Sequence, residues 1–253
     1  MGLYKSRAEI EKMRISGSIL ARTLRLVSET IVPGKTTPKD LDALAEKLIL
    51  DAGGIPSFKG YRGDYPAATC ISVNQVVVHG IPTDIPLEEG DIVSLDFGVV
   101  KDGWHADGAW TYPVGDVSVD AKRLMNVTRE SLYQGIAKAK AGNRLGDIGH
   151  AVQKYVESHG YSVVRDLVGH GIGQNLHEPP SSIPMYGKPG KGDMIKEGMT
   201  MCIEPMINLG GYQVNFLDDR WTVVTADGKL SAHFEHTVAI TREGPDILTL
   251  ELD

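Results

Sequence analysis

Two short segments of this 253-residue chain share one design: Glu89-Gly90-Asp91-Ile92-Val93-Ser94-Leu95-Asp96 and Glu197-Gly198-Met199-Thr200-Met201-Cys202-Ile203-Glu204. In each, a Glu-Gly pair opens a largely apolar run typical of a strand, and an acidic residue stands six positions after the glycine. Such an echo predicts two related halves, each of which delivers a carboxylate from a strand.

The same order of helix, glycine, helix, glycine and strand surrounds both segments. Capping residues, hydrophobic periodicity and turn signals locate the elements. We predict a helix opened by Ser6 that stops before Pro33, a helix opened by Thr37 that runs to Gly53, helices at about 120–140 and 145–158, and strands at 67–78, 91–100, 104–112 and from 161. The pattern indicates an α+β fold.

A tight turn is predicted at Lys101-Asp102-Gly103, between the second and third of these strands. With Asp102-Gly103 as the turn, Asp96 faces Ala109 across the hairpin, and Asp107 is its diagonal neighbour on the same face. Two carboxylates then converge on one spot. Like charges that close either share a proton or bind a cation.

The second half also places acidic residues within apolar strands, where a charged side chain is costly to bury. Glu204 lies in the apolar run 199–207, and Glu235 lies in the run 233–238. A single buried acid is as often a structural hydrogen-bonding group as a ligand. If the halves meet, however, four carboxylates share one cavity, and two divalent cations would balance their charge. The sequence therefore favours a dinuclear metal site.

Three histidines are candidates for the same site. His170 lies in the glycine-bounded segment 169–173, His177 follows seven residues later, and His79 comes directly after the strand-like run 76–78. The glycines match neither nucleotide-binding glycine pattern. Taken singly, each histidine is more often a core or surface residue than a ligand. Together with the four acids, they indicate a metal centre.

The composition excludes several classes of protein. Hydrophobic residues make up 42% of the chain and charged residues 23%, which excludes disordered, collagen-like and coiled-coil proteins. A net charge of −7 provides no global basic field for nucleic acid or anionic lipid. Two cysteines form no disulfide framework, and neither a secretory signal nor an apolar run of membrane-spanning length is present. We therefore expect a cytoplasmic protein that binds neither nucleic acid nor membrane.

The motifs resemble those of type I methionine aminopeptidases, which have the pita-bread fold of aminopeptidase P, prolidase and creatinase. The matching stretches are 70–74, 78–82, 90–96, 101–107, 169–173 with 177–178, 203–206 and 235–237. The resemblance implies two pseudo-symmetric halves with helices outside an antiparallel sheet and a central dimetal site. It also implies one catalytic domain over 1–253 with a short N-terminal helical lead-in.

A set of metal ligands follows from the resemblance. The implied ligands of two divalent metals are Asp96, Asp107, His170, Glu204 and Glu235, with Asp107 and Glu235 bridging both ions. An oxygen-rich set with one imidazole suits Mn, Fe or Co, and Zn is the remaining option.

The implied reaction is removal of the initiator methionine from proteins and peptides with a small second residue. A metal-bridging hydroxide would attack the first peptide bond. His79 would contact the scissile nitrogen or the leaving amine, His177 would donate to the oxyanion, and Glu204 would double as a proton shuttle. The chain's own Met1-Gly2 start qualifies as a substrate.

A pocket for the methionine side chain is also implied. Its matching positions are Tyr61, Tyr65, Cys70 and Trp221, and the variable positions are Phe58, where a cysteine is common, and Leu176, where an aromatic is common. Gly108 replaces a residue that often carries a hydroxyl, which removes a hydrogen bond near the metals. Asn74, Val76 and Ser231 match a monovalent-cation site of some family members.

Two alternative functions remain open at this stage. An Xaa-Pro aminopeptidase or prolidase resembles this chain in its metal ligands but usually carries an additional N-terminal domain, for which about 65 residues leave no room. A metal-free binding protein of the same fold would have lost ligands that this chain keeps.

The expected partners are the N-termini of nascent polypeptides. Transient ribosome contact is unsupported by charge, because the loop 209–220 offers Asp218 and Asp219 against Arg220. A monomer is the expectation that follows from the family.

Overall fold

The computed structural model describes residues 3–252 of the chain. The Met1-Gly2 start and Asp253, both inside the predicted domain, lie outside the described residues. The helices are α1 (Arg7–Ser28), α2 (Pro38–Asp51), α3 (Val119–Ile136) and α4 (Leu145–Ser158), and a 3-10 turn covers Tyr61–Gly63. Both capping boxes form as predicted, Ser6 with Glu9 and Thr37 with Asp40.

Fifteen strands are assigned within the described residues. Those of the first half are β1 (Ile55–Pro56), β2 (Cys70–Val73), β3 (Val76–Val78), β4 (Ile92–Lys101) and β5 (Trp104–Pro113). Those of the second half are β6 (Ser162–Val163), β7 (Gly169–Gly171), β8 (Glu178–Ile183), β9 (Thr200–Ile203), β10 (Met206–Asn208), β11 (Val214–Phe216), β12 (Val223–Thr225), β13 (Ser231–His233), β14 (His236–Thr241) and β15 (Gly244–Ile247).

Each half packs a pair of helices against strands. Leu20, Leu24, Leu41 and Ile49 of α1 and α2 form one apolar core with residues of β2 and β4, including Phe97. A second core joins α3 and α4 to strands β9, β10 and β14. The α+β class and the outside position of the helices are thus confirmed.

The β4–β5 hairpin has the predicted register. Asp96 pairs with Ala109, and Gly98 pairs with Asp107, so the two acidic side chains share one face of the hairpin. Asp102 has a φ of 51° and Gly103 a φ of 77°, the left-handed conformation that a two-residue turn of this kind requires.

Three predicted strands are wrong as continuous elements. The run 67–78 is interrupted between β2 and β3, the run 199–207 divides into β9 and β10, and the run 233–238 divides into β13 and β14. Pro205, which has no N–H to donate to a ladder, marks the second break. β9 and β14 belong to one sheet, and β10 and β13 belong to another. Within the described residues, the antiparallel strands are divided among four sheets.

The breaks at Glu204 and Glu235 determine where these acids lie. Both stand in the links where the chain passes from one sheet to the next, rather than in the middle of a strand. Their carboxylates consequently meet at the junction of the sheets. Among residues 3–252, no helix is long and apolar enough to cross a membrane.

Candidate functional site

A cavity of about 320 Å³ opens between the two halves. All five predicted metal ligands and all eight residues predicted to contact the substrate line it: Asp96, Asp107, His170, Glu204, Glu235, Phe58, Tyr61, Tyr65, Cys70, His79, Leu176, His177 and Trp221. The sequence reasoning did not assign the other lining residues, which are Arg62, Val78, Asp166, Leu167, Val168, Ser181 and Met206.

Asp107 lies where the two halves are joined by hydrogen bonds. Its backbone N–H donates to Thr237 Oγ1 at 2.9 Å, and the Thr237 hydroxyl donates to its carbonyl oxygen at 2.8 Å. Glu235 is fixed to the same strand, because its N–H donates to the Ala109 carbonyl at 2.8 Å. The carboxylates of the second half are thereby held against the β4–β5 hairpin.

Burial makes the charged form of these acids costly. It raises the pKa of Asp96, Glu204 and Glu235 well above ordinary values, and the neighbouring charge of Asp107 raises these pKa values further. Burial also raises the pKa of Asp107 to about 7, although the Gly108 N–H donates to its carboxylate. Within the described residues, Asp96 Oδ1 and Glu235 Oε1 have no hydrogen-bond partner. Cations would satisfy these oxygens.

His170 presents a nitrogen lone pair to the acids. Its Nδ1 lies 2.9 Å from the Gly171 carbonyl oxygen, which can only accept, so Nδ1 carries the proton. Nε2 is then free, 3.8 Å from Asp107 Oδ2 and 3.7 Å from Glu204 Oε1. A histidine whose other nitrogen donates to a carbonyl is the usual form of an imidazole metal ligand.

Two groups of side chains bring possible ligand atoms within 4.8 Å of one another: Asp107, His170, Cys202 and Glu235, and Glu204, His233 and Glu235. The sequence analysis gave neither Cys202 nor His233 a role in the site. Asp96 belongs to neither group but lines the same cavity. The donor set, with four carboxylates and an imidazole, fits two divalent cations.

The glycines around His170 allow close approach of backbones rather than forming a phosphate loop. A Cβ on Gly169 would lie 2.4 Å from the Cys202 carbonyl oxygen, and one on Gly171 would lie 2.4 Å from that of Pro179. Only glycine lets β7 fit here with His170 facing the acids.

His79 and His177 lie beside the acids and are neutral. Burial lowers the pKa of His79 to about 4 and that of His177 to about 3. His177 Nδ1 is 2.8 Å from the Tyr61 hydroxyl, and its ring is 3.9 Å from that of His170, centroid to centroid. His79 follows β3 with a φ of 58°. Both imidazoles therefore offer one N–H and one lone pair.

The apolar part of the cavity is formed by aromatic and small side chains. The rings of Tyr65 and Trp221 meet edge to face at 5.0 Å, and Phe58, Cys70 and Leu176 are buried in the same cluster. The Tyr65 hydroxyl lies within hydrogen-bond distance of the carbonyl oxygens of Thr69 and Gly80, at 3.0 and 3.2 Å. An apolar pocket thus adjoins the acids.

Gly108 has a packing reason of its own. A Cβ there would lie 3.0 Å from Leu20 Cδ2 of α1, so a larger residue would press on the helix.

The predicted cation-binding residues Asn74 and Ser231 are in contact, since the Ser231 N–H donates to the Asn74 carbonyl at 2.9 Å. Asn74 also donates to Asp91 and accepts from the Ile92 N–H. Val76 pairs with Val224 at the start of β3. A monovalent-cation role for this group stays a prediction.

Known proteins resemble the chain over almost its whole length. A model of metallopeptidase family M24 matches residues 11–242. The methionine aminopeptidase of Clostridium perfringens is 53% identical over 99% of this chain and 99% of its own. Methionine aminopeptidase 1 of Bacillus subtilis is also 53% identical, over 98% of this chain and 99% of its own.

Solved structures agree with these relatives. The methionine aminopeptidase from Thermotoga maritima superposes with a TM-score of 0.95 at 48% identity, covering 98% of this chain and 99% of that one. A prolidase from Pyrococcus horikoshii shares the fold with a TM-score of 0.80 at 22% identity, but this chain spans 64% of its length. The chain therefore belongs to metallopeptidase family M24, has its pita-bread fold, and groups with its methionine aminopeptidases.

Proposed function

We propose that this protein is a divalent-metal-dependent methionine aminopeptidase that removes the N-terminal methionine from nascent proteins and peptides with a small second residue. The observation that carries the proposal is the apolar pocket of Tyr65, Cys70 and Trp221 in the same cavity as four acids, three of them buried. A pocket of this character takes a flexible thioether, and the acids lie where the first peptide bond would follow. The relatives at about half identity support the same assignment.

We assign the binding of two divalent cations to five residues of the cavity: Asp96, Asp107, His170, Glu204 and Glu235. When bound, such ions polarise the scissile carbonyl and lower the pKa of a water molecule that attacks it. These residues come from both halves of the molecule, so they would hold the ions between the halves. Mn, Fe and Co suit this oxygen-rich set, and Zn is the fourth ion to test.

The chain's own groups then position the substrate and move protons. His177 donates from Nε2 to the oxygen that gains negative charge, and His79 contacts the nitrogen of the scissile bond or its leaving amine. Glu204 accepts a proton from the attacking water and passes it to the departing amine. Because both histidines are neutral, each contributes a hydrogen bond without adding charge to the site.

The pocket selects the side chain. Tyr61, Tyr65, Cys70 and Trp221, with Phe58 and Leu176, surround a volume suited to one unbranched side chain. A β-branched or charged first residue would meet the rings or lose its hydration without a partner. We therefore expect methionine to be preferred.

We propose further that the chain acts as one catalytic domain over 1–253, as a monomer in the cytoplasm. Nascent-chain N-termini would then be met on emergence from the ribosome, with at most transient contact, since the loop 209–220 carries no basic patch.

The proposal is tested by removing metals with a chelator and adding Mn²⁺, Fe²⁺, Co²⁺ or Zn²⁺ separately. Release of amino acids is compared for Met-Ala-Ser and Ala-Pro-Ala. We expect metal-dependent release of methionine from the first peptide alone. Cleavage of only Ala-Pro-Ala would assign the Xaa-Pro activity instead, and cleavage of neither peptide with any metal would favour a binding protein of this fold.

A further inference from the structure

His233 is a buried histidine close to two of the cavity acids, Glu204 and Glu235, and the proposed mechanism does not use it. It ends β13, and both sides of its backbone are held by Thr111: the His233 N–H donates to Thr111 Oγ1 at 3.0 Å, and the Thr111 hydroxyl donates to the His233 carbonyl at 2.8 Å. Ser94 holds the Thr111 hydroxyl in turn, at 2.8 Å. The main chain at this position is therefore fixed by two neighbouring strands.

The ring of His233 has no hydrogen-bond partner among the described residues, at either nitrogen. Only 2% of the residue is exposed, so bulk solvent does not reach the ring. Buried polar side chains are nearly always hydrogen-bonded, and an exception calls for an explanation. The polar groups nearest to the ring therefore indicate its role.

Two carboxylates are the possible hydrogen-bond partners near the His233 ring. His233 Nε2 lies 3.8 Å from Glu204 Oε2 and 4.0 Å from Glu235 Oε2. Once bound cations hold these acids ionised, their oxygens only accept hydrogen bonds. A neutral imidazole facing them then carries its proton on Nε2, because a lone pair there would face two acceptors.

Of the two acids, Glu204 is the one whose position is less constrained by backbone hydrogen bonds. Glu235 is tied to Ala109 by backbone hydrogen bonds in both directions. Glu204 stands in the link after β9, outside any strand. Its carboxylate lies between two imidazoles, with Oε1 3.7 Å from His170 Nε2 and Oε2 3.8 Å from His233 Nε2.

We propose that His233 is a positioning residue that donates from Nε2 to Glu204 Oε2 and so fixes the orientation of the Glu204 carboxylate. This inference rests on the proposed function of the site, since it concerns a ligand of the proposed metals. A hydrogen bond to a ligating carboxylate fixes its orientation and raises metal affinity. It also keeps Glu204 aligned for its proton transfers.

The test compares H233L, which has similar bulk and no donor, with H233Q, which keeps an N–H donor. Calorimetric titration of the metal-stripped proteins with Mn²⁺ should show affinity about 10- to 100-fold weaker in H233L. H233Q should remain close to the wild type. The visible spectrum of the Co²⁺-loaded protein should change in H233L and not in H233Q, because it reports coordination geometry.

H236L is the matched control. His236 is a buried histidine three positions further along, but its Nδ1 is 2.7 Å from Thr249 Oγ1, away from the acids. This variant should lose stability and keep its Mn²⁺ affinity. Equal Mn²⁺ affinity in H233L and wild type, with unchanged Co²⁺ spectra, would overturn the proposal.

A measurement on the wild type covers the case in which H233L does not fold. In the diamagnetic Zn²⁺-loaded protein, nitrogen NMR, assigned by comparison with H233Q, should show His233 protonated at Nε2 and bare at Nδ1. A bare Nε2 would mean that His233 binds metal or only packs, and the proposal would be wrong.

The wild type also separates this inference from the proposed function. If it binds Mn²⁺ with the expected response to H233L but does not hydrolyse Met-Ala-Ser, the proposed function fails while the role of His233 stands. If the wild type hydrolyses the peptide and H233L binds Mn²⁺ with wild-type affinity, the proposed function stands and the proposed role of His233 fails.

Discussion

The hydrogen bond between Tyr61 and His177 bears directly on catalysis at the residue scale. His177 can donate from Nε2 to an oxyanion only if its Nδ1 is the accepting nitrogen. The Tyr61 hydroxyl, 2.8 Å from Nδ1, is placed to donate to it and so to fix that tautomer. A residue outside the set of proposed ligands thus controls which nitrogen of His177 carries the proton.

Tyr61→Phe should therefore lower kcat by about five- to tenfold, the worth of one neutral hydrogen bond of about 1–1.5 kcal/mol. His177→Ala should lower kcat by about 100- to 1,000-fold, as loss of an oxyanion donor does. Both variants should retain two metals per chain by elemental analysis. If Tyr61→Phe changes KM alone, Tyr61 contributes to the pocket and not to the state of His177.

At the scale of elements, β7 carries His170 only because its glycines permit close contact with β8 and β9. A methyl group on Gly171 would lie 2.4 Å from the Pro179 carbonyl oxygen, and backbone cannot move aside as a side chain can. Packing of the sheet therefore requires the glycines at 169 and 171, and the same packing orients the imidazole of His170 toward the acids.

Gly171→Ala should destabilise the metal-free protein by about 1–3 kcal/mol, the usual cost of overpacking, and weaken metal binding because His170 moves. Urea unfolding and a Mn²⁺ titration measure the two effects. Gly211→Ala is the control, since its Cβ would meet only the flexible end of Gln213. Unchanged stability in Gly171→Ala would show that the β8 backbone moves aside at little cost, contrary to the prediction.

A buried ion pair joins the segment before α1 to the start of β8. Lys5 Nζ lies 2.6 Å from Glu178 Oε2, and the two side chains are 4% and 9% exposed. Burial alone would raise the pKa of Glu178, but the hydrogen bonds from Lys5 and the Asn175 N–H outweigh it and leave the pKa below its ordinary value. The contribution of this pair to stability is therefore present above the ordinary pKa and lost as the pH falls through the lowered one.

Lys5→Met should cost about 1–3 kcal/mol near pH 7, because it removes the charged partner of a half-buried carboxylate. The double variant Lys5→Met/Glu178→Gln should be less destabilised than Lys5→Met. As the pH falls toward about 4, Glu178 becomes protonated in Lys5→Met, and its deficit relative to the double variant should shrink. Thermal unfolding across this range measures the difference, and a deficit that does not depend on pH would exclude the charge as its cause.

Short-range signals allowed much of the fold to be predicted. The capping boxes at Ser6 and Thr37, and the hairpin register of Asp96 with Ala109, depend on residues close in sequence. Long-range pairing could not be predicted in the same way. The links at Glu204 and Glu235 exist because the chain changes sheets there, and no local pattern other than Pro205 marks the change.

The same reason explains why two possible ligand residues near the acids were not predicted. Cys202 comes beside the acids because β9 pairs with β14, where Cys202 faces Thr237. His233 comes beside Glu204 because β13 pairs with β10, where His233 faces Met206. The one available signal was that His233 stands two positions before Glu235, which in a strand would place both on one face.

At the scale of the whole molecule, the two halves meet across four acids that repel one another. Without cations, the raised pKa values mean that the folded protein binds more protons than the unfolded chain above about pH 4. Stability must then fall as the pH rises through this window. Bound divalent ions would replace the protons and so remove this loss of stability at higher pH.

Metal-stripped protein should therefore unfold at lower temperature at about pH 8 than at about pH 6, and added Mn²⁺ should stabilise it more at the higher pH. At a free ion concentration about 100 times Kd, the gain is about 2.7 kcal/mol, which corresponds to about 5–10 °C in Tm for a chain of this size.

Glu235→Gln separates the repulsion from other effects of pH. With one fewer buried charge, this variant without metal should be more stable than the wild type at about pH 8 and should gain less from Mn²⁺. Scanning calorimetry measures the unfolding temperatures of both proteins at both pH values, with chelator and with Mn²⁺. If the metal-free wild type were as stable at about pH 8 as at about pH 6, the acids would not be held together against their charge, and the junction would owe its stability to packing alone.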